Sequence, residues 1–86
     1  MLNKVILIGR LGATPEMRIY EGGKKMAWMD LATDRIYRNQ KGKRQKQTNW
    51  HRLICYGALA DFVYENLSKG KLLYVEGRLD YWGKDK

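Results

Sequence analysis

The stretch Gly57-Ala58-Leu59-Ala60-Asp61-Phe62-Val63-Tyr64-Glu65-Asn66-Leu67 decides the fold, because it interrupts a chain that otherwise reads in twos. Leu59, Phe62, Val63 and Leu67 recur at helical spacing. Lys69-Gly70 then offers a basic residue and a glycine as a C-terminal stop. One helix is expected here, at about residues 58–68. On its downstream side Lys71 to Leu79 returns to period two, with Leu73, Val75 and Leu79 on one side. On its upstream side Thr48 to Tyr56 reads as a strand, and so does Lys24 to Thr33. In the latter, Ala27, Met29, Leu31 and Thr33 form a core face opposite Met26, Trp28, Asp30 and Ala32.

Further upstream, Asn3 to Gly9 is a β-branched run without clean alternation, so both of its faces are expected to be covered, by the barrel itself or by a second subunit. Thr14-Pro15 breaks the pattern, Met17 to Tyr20 resumes it, and Gly22-Gly23 supplies a turn. Residues 36–47 lose periodicity, with Lys41-Gly42-Lys43 as the tip of a long hairpin. Strands, one late helix and a further strand make an all-β fold with one helix, a small five-stranded Greek-key barrel of the oligonucleotide-binding (OB) type. The whole chain, 1–86, reads as a single domain.

Composition narrows the chemistry. Eighty-six residues carry seventeen Lys and Arg against nine Asp and Glu, a formal net charge of +8. With 44% hydrophobic and 12% aromatic residues the chain is too apolar for a disordered basic tail. No apolar run approaches the ~20 residues that span a bilayer, and no signal-peptide pattern opens the chain. The single cysteine requires no oxidising compartment. One Cys and one His fall short of a structural zinc set. On a shared strand, His51 and Cys55 would stand ~13 Å apart, too far for a nucleophile pair. No glycine motif fits a dinucleotide or phosphate cradle. The expectation is a non-enzyme with no cofactor and no metal.

Two features carry the binding chemistry. Alternation along Trp50-His51-Arg52-Leu53-Ile54-Cys55-Tyr56 sends Trp50, Arg52, Ile54 and Tyr56 to one face and His51, Leu53 and Cys55 to the other. Bases stack on aromatic rings, and arginine both stacks and neutralises phosphate. The competing reading packs Trp50 and Tyr56 under the helix or a second subunit. The second feature is the hairpin 35–46, which holds six basic residues in twelve, Arg35, Arg38, Lys41, Lys43, Arg44 and Lys46, beside Tyr37. No acidic residue occurs between Asp34 and Asp61. A cationic arm leading into a stacking face suits a flexible polyanion, since phosphate neutralisation releases counterions. The helix carries Asp61 and Glu65 and no base before Lys69, so it would repel a duplex, and exposed aromatics favour a single strand. Trp28 admits both base stacking and a subunit contact; Trp82, beside Tyr81 and Lys84, leans towards ligand contact.

Several segments together resemble bacterial single-stranded DNA-binding proteins. They are Leu2 to Gly12 with Pro15-Glu16-Met17-Arg18, Leu31-Ala32-Thr33, Thr48-Asn49-Trp50-His51-Arg52, and Lys69-Gly70 leading to Tyr74-Val75-Glu76-Gly77-Arg78-Leu79. The resemblance runs through nearly the whole chain. It implies an OB-fold homotetramer, a dimer of dimers, that binds and protects single-stranded DNA without marked sequence preference during replication, recombination and repair. It also implies a cytoplasmic, nucleoid-associated location with no membrane partner. It puts stacking on Trp50 and Tyr56, with Tyr37 where relatives often carry Trp, and basic contacts at Arg52 and Lys69. Oligomer contacts fall to the first strand, at Lys4, Ile6 and Ile8, and to His51. Relatives continue past the position of Lys86 with a further hairpin arm, a closing strand and an acidic-tipped tail, so the expected barrel is one strand short and exposes an edge. Replication and repair partners recruited by that tail are not assigned to this chain. Trp82 falls slightly ahead of the family's late stacking tryptophan. Two other classes compete: an OB-fold for structured RNA, and a primosome-type OB dimer whose main ligand is another protein.

Overall fold

The computed structural model describes residues 1–81. The chain runs β1 (Val5–Leu11), β2 (Glu16–Ile19), a short 3-10 turn (Glu21–Gly23), β3 (Lys25–Arg38), β4 (Arg44–Tyr56), α1 (Gly57–Asn66) and β5 (Leu72–Gly77). All pairings are antiparallel. β3 is the organising strand. Along one edge it pairs β2 through Glu16↔Trp28 to Ile19↔Lys25, then the end of β1 through Arg10↔Ala32 and Leu11↔Leu31. Along the other edge it pairs β4 from Met26↔Tyr56 to Arg38↔Arg44. β1 turns away to pair β5, from Val5↔Gly77 to Arg10↔Leu72.

This is the OB-fold, left open. β4 pairs only β3 and β5 pairs only β1, so among the described residues their outer edges face no strand. The fifth strand is the short β2, not a strand that closes the barrel. β1 and β3 approach so closely at Gly9 that an added Cβ would lie 3.0 Å from the carbonyl carbon of Ala32, a backbone contact that only glycine tolerates.

The core lies between the inner face of β3 and the helix. Leu11, Ala27, Met29, Leu31, Ala60 and Val63 are buried, with Leu7, Met17, Leu53, Cys55, Leu67, Leu73 and Val75 packed around them. The inner positions Ala27, Met29 and Leu31 match the period of two. Of the four residues at helical spacing, Leu59 and Phe62 are 58% and 56% exposed, while Ala60, outside that set, is fully buried. The inward stripe is Ala60, Val63 and Leu67. Small Ala60 lets the helix lie close to the sheet, and the ion pair Lys25 Nζ–Asp61 Oδ2 at 2.9 Å ties that side of the helix to β3. The helix ends at Asn66 through Leu67 N–H donating to the Val63 carbonyl, so Lys69-Gly70 forms the following turn instead of the stop.

Two strand expectations also change. β1 does alternate: Val5, Leu7, Gly9 and Leu11 turn inward, while Ile6, Ile8 and Arg10 are exposed. Among the described residues only one face of β1 is covered. Leu79 does not share the inner side of β5, which stops at Gly77. Leu79 is exposed and is held by its backbone, donating to Asn3 Oδ1 at 2.9 Å and accepting from Asn3 Nδ2 at 2.8 Å.

Candidate nucleic-acid interface

The ladder of β3 and β4 sets which side chains share the outer face. Alternation and register place Trp50 opposite Ala32, Arg52 opposite Asp30, Ile54 opposite Trp28 and Tyr56 opposite Met26, all on the side away from the helix. Trp50 and Tyr56 are 60% and 61% exposed. Apolar rings held in water on an exposed sheet face are available to stack. Neither ring lies beneath the helix, which packs on the opposite face. Trp50 crosses the end of β1: a Cβ at Gly12 would run into its Cζ3 and lie 2.6 Å from its Cη2. Glycine at residue 12 therefore leaves room for the ring, and Gly12 N–H bonds the Asp30 carbonyl at 3.0 Å.

Arg52 is held, and so aimed, by a neighbour. Its Nε donates to Asp30 Oδ1 at 2.7 Å, which leaves both terminal amino groups of the fork available. The hydrogen bond and charge of Asp30 raise the guanidinium pKa further above its already high ordinary value. Arg52 is thus a fixed cation in the middle of an aromatic row. Cys55, facing inward, is pushed towards the neutral thiol by burial. His51 also faces inward, with its Nε2 2.8 Å from the Thr33 hydroxyl.

Beyond Asp34 and Thr48 the same two strands leave the body as an exposed ribbon. Residues 36–47 are strand on both sides of a turn from Asn39 to Lys43, although the sequence shows no alternation there. A ribbon wet on both faces has no reason to alternate. Asn39 caps the turn, its Oδ1 accepting from the N–H groups of Lys41 and Lys43 at 2.9 Å. Arg38 donates to the Gly42 carbonyl at 2.9 Å. Lys41, Lys43 and Arg44 have no ion pair among the described residues, whereas Lys46 lies 3.7 Å from Asp34. Register puts Arg38, Arg44 and Lys46 on the face of Trp50, and Tyr37 on the other face, with the Arg35 guanidinium 5.1 Å from its ring centroid. Tyr37 is therefore not brought together with Trp50, Arg52 and Tyr56.

Lys69 lies in the loop whose Gly70 N–H bonds the Leu11 carbonyl at 2.8 Å, next to the segment that Trp50 crosses. Trp82 lies outside the described residues. The expected oligomer residues do not form one patch. Ile6 and Ile8 are exposed on the outer face of β1, beside Tyr74 and an ion pair of Lys4 with Glu76 at 3.1 Å, while His51 belongs to the inner face. Sequence reasoning missed Gly12, Asp30 as the anchor of Arg52, and Arg18 and Tyr20 on the rim of the outer face. Period two on the short β2 points Arg18 outward, but only the register joins it to this sheet.

Among the described residues no group of three or more His, Cys, Asp or Glu could hold a metal ion. No helix among them is long and apolar enough to cross a membrane. The arrangement has means for stacking and for phosphate neutralisation.

Known proteins are similar to this chain in sequence and in fold. The single-stranded DNA-binding protein of Neisseria meningitidis is 42% identical over 98% of this chain. Single-stranded DNA-binding protein 1 of Chlorobaculum tepidum is 44% identical over 91% of it. The chain spans about half the length of these relatives, 50% and 48%. Among solved structures, a Plasmodium falciparum SSB in complex with ssDNA superposes with a TM-score of 0.83 at 38% identity, covering 91% of this chain and 70% of that one. A deletion mutant of the single-stranded DNA binding protein from Thermus aquaticus gives 0.82 at 37% identity, covering 98% and 42%. The sequence model of the single-strand binding protein family matches residues 2–85. With the open OB sheet, the aromatic row and this match along nearly its whole length, the chain belongs to the single-strand binding protein family.

Proposed function

We propose that this chain is a non-catalytic module, one domain over residues 1–86, that binds single-stranded DNA without sequence preference and protects it during replication, recombination and repair. The observation that carries the reading is the outward row Trp50, Arg52, Tyr56 on the sheet face opposite α1. Bases stack on Trp50 and Tyr56, at ~1–3 kcal/mol per base. Arg52, Arg38, Arg44 and Lys46 meet phosphates along the same face, and Lys41, Lys43 and Lys69 extend the track at its ends. Tyr37 serves a strand that wraps over the far side of the ribbon. The similarity to an SSB solved with ssDNA supports this reading over a structured-RNA or protein-docking role.

The exposed Ile6, Ile8 and Tyr74 on the outer face of β1 and β5 support assembly, since apolar rows of this kind mark interfaces. A homotetramer built as a dimer of dimers buries them, with Lys4 and His51 contributing at its contacts. The location is cytoplasmic, on the nucleoid. The test is the solution mass of the chain with and without a long oligo-dT, with poly-dT and a folded RNA as competitors. A tetramer that takes up oligo-dT and yields it to poly-dT but not to RNA is expected. Equal competition by folded RNA, or a stable dimer with weak strand affinity, would replace the reading with one of its rivals.

A further inference from the structure

Trp28 lies on β3 between two buried neighbours, Ala27 and Met29, yet points away from them onto the outer face. There it lines a groove of about 480 Å³ with Arg18, Tyr20, Met26, Arg52 and Ile54. The floor is apolar: Trp28 stands directly across from Ile54 and Met26 across from Tyr56. The rim is fixed by local contacts. The Arg18 guanidinium sits 5.9 Å from the Tyr20 ring centroid, and the Tyr20 hydroxyl is 3.9 Å from Met26 Sδ. On the opposite side Asp30 holds Arg52 by its Nε, with the remaining fork turned to solvent.

We propose that this groove is a further base-stacking subsite, with the indole of Trp28 as its platform. The inference rests on the single-strand reading above and adds a site to it. Ile54 is two residues from Tyr56 and four from Trp50 on β4, ~7 Å and ~13 Å at the strand rise. A strand stacked on both Trp50 and Tyr56 therefore passes over the groove. Its occupant is a nucleobase, not a phosphate. The charges around Trp28 are balanced: Arg18 and Arg52 are offset by Glu16, paired across from Trp28, and by Asp30. A neutral flat ring gains from an apolar floor, and sugar-phosphate on either side meets the two guanidinium groups. A subunit contact needs a wider apolar surface than this slot, rimmed by paired charges, offers.

The experiment follows labelled oligo-dT by anisotropy for the full chain, Trp28→Leu and Trp28→Phe. It also follows indole fluorescence in a Trp50→Phe/Trp82→Phe variant, where Trp28 alone emits. Leucine is expected to weaken binding about fivefold or more, as loss of one stacked base requires, and phenylalanine to weaken it less. The slope of log affinity against log salt stays unchanged, because stacking releases no counterions. Saturating oligo-dT quenches the lone Trp28. If the unmodified chain binds oligo-dT but Trp28 is not quenched and Trp28→Leu binds as well as wild type, the subsite is refuted and the single-strand reading stands. Loss of oligomer mass in Trp28→Leu, with strand affinity per protomer retained, makes Trp28 a subunit contact and also refutes it. If the unmodified chain shows no binding at all, the single-strand reading fails and the subsite with it.

Discussion

Replacing Gly12 with alanine perturbs the stacking face without touching an aromatic residue. The added Cβ would lie 2.6 Å from Trp50 Cη2, against a carbon–carbon optimum of ~3.5–4.0 Å. The ring must therefore move by about 1 Å or more. Trp50 is 60% exposed, so its side chain swings while the strand stays in place. Alanine keeps the N–H that bonds the Asp30 carbonyl, and it restricts the unfolded chain by ~0.4–1 kcal/mol in favour of folding. That offsets an off-rotamer cost of ~0.5–1.5 kcal/mol, so thermal stability should change little. Binding should change more. If displacement forfeits about half of a stacking energy of ~1–3 kcal/mol, affinity for oligo-dT falls about two- to 13-fold. The assay is anisotropy of labelled oligo-dT, run as a double-mutant cycle with Trp50→Ala. Because both changes act through one ring, Gly12→Ala should have no further effect in the Trp50→Ala background. Unchanged affinity in the single variant, or the same loss with and without Trp50, would refute the placement of Trp50 across Gly12 as the binding pose.

Two further outcomes are expected. Converting Lys41, Lys43, Arg44 and Lys46 to glutamine should flatten the salt dependence of oligo-dT binding by about two units of log–log slope, at ~0.7 per phosphate, with Lys46 contributing least because Asp34 shares its charge. An unaltered slope would move the phosphate track off the ribbon. Leu31→Ala, which empties a fully buried site, should cost ~2–5 kcal/mol in urea unfolding. A loss below ~1 kcal/mol would contradict a core centred between β3 and α1.

The sequence was informative where one side of an element is wet and the other dry. Ala27, Met29 and Leu31 alternate with Met26, Trp28 and Asp30 because the helix covers one face of β3 and water the other. The aromatic row on β4 was legible for the same reason. Where this contrast fails, so does the reading. The ribbon beyond Asp34 is wet on both faces, and its strands carry no period. β1 is apolar on both faces, so its alternation appears only in the burial of a single chain. The helix offers two overlapping apolar stripes, and choosing Ala60, Val63 and Leu67 over Leu59 and Phe62 depends on how close it lies to the sheet and on the Lys25–Asp61 pair. Contacts that join distant segments, such as Asp30 with Arg52 or Gly12 under Trp50, follow from register and have no local signature.

The most direct measurement compares two adjacent residues that the strand turns to opposite faces. Trp50 points out from the sheet and His51 points in, bonded to Thr33. With labelled oligo-dT, Trp50→Ala should weaken binding about five- to 160-fold. His51→Ala should leave affinity per protomer close to wild type. Equal losses in the two variants, or a neutral Trp50→Ala in a chain whose tryptophan fluorescence does not respond to saturating DNA, would contradict the stacking face on which the account rests.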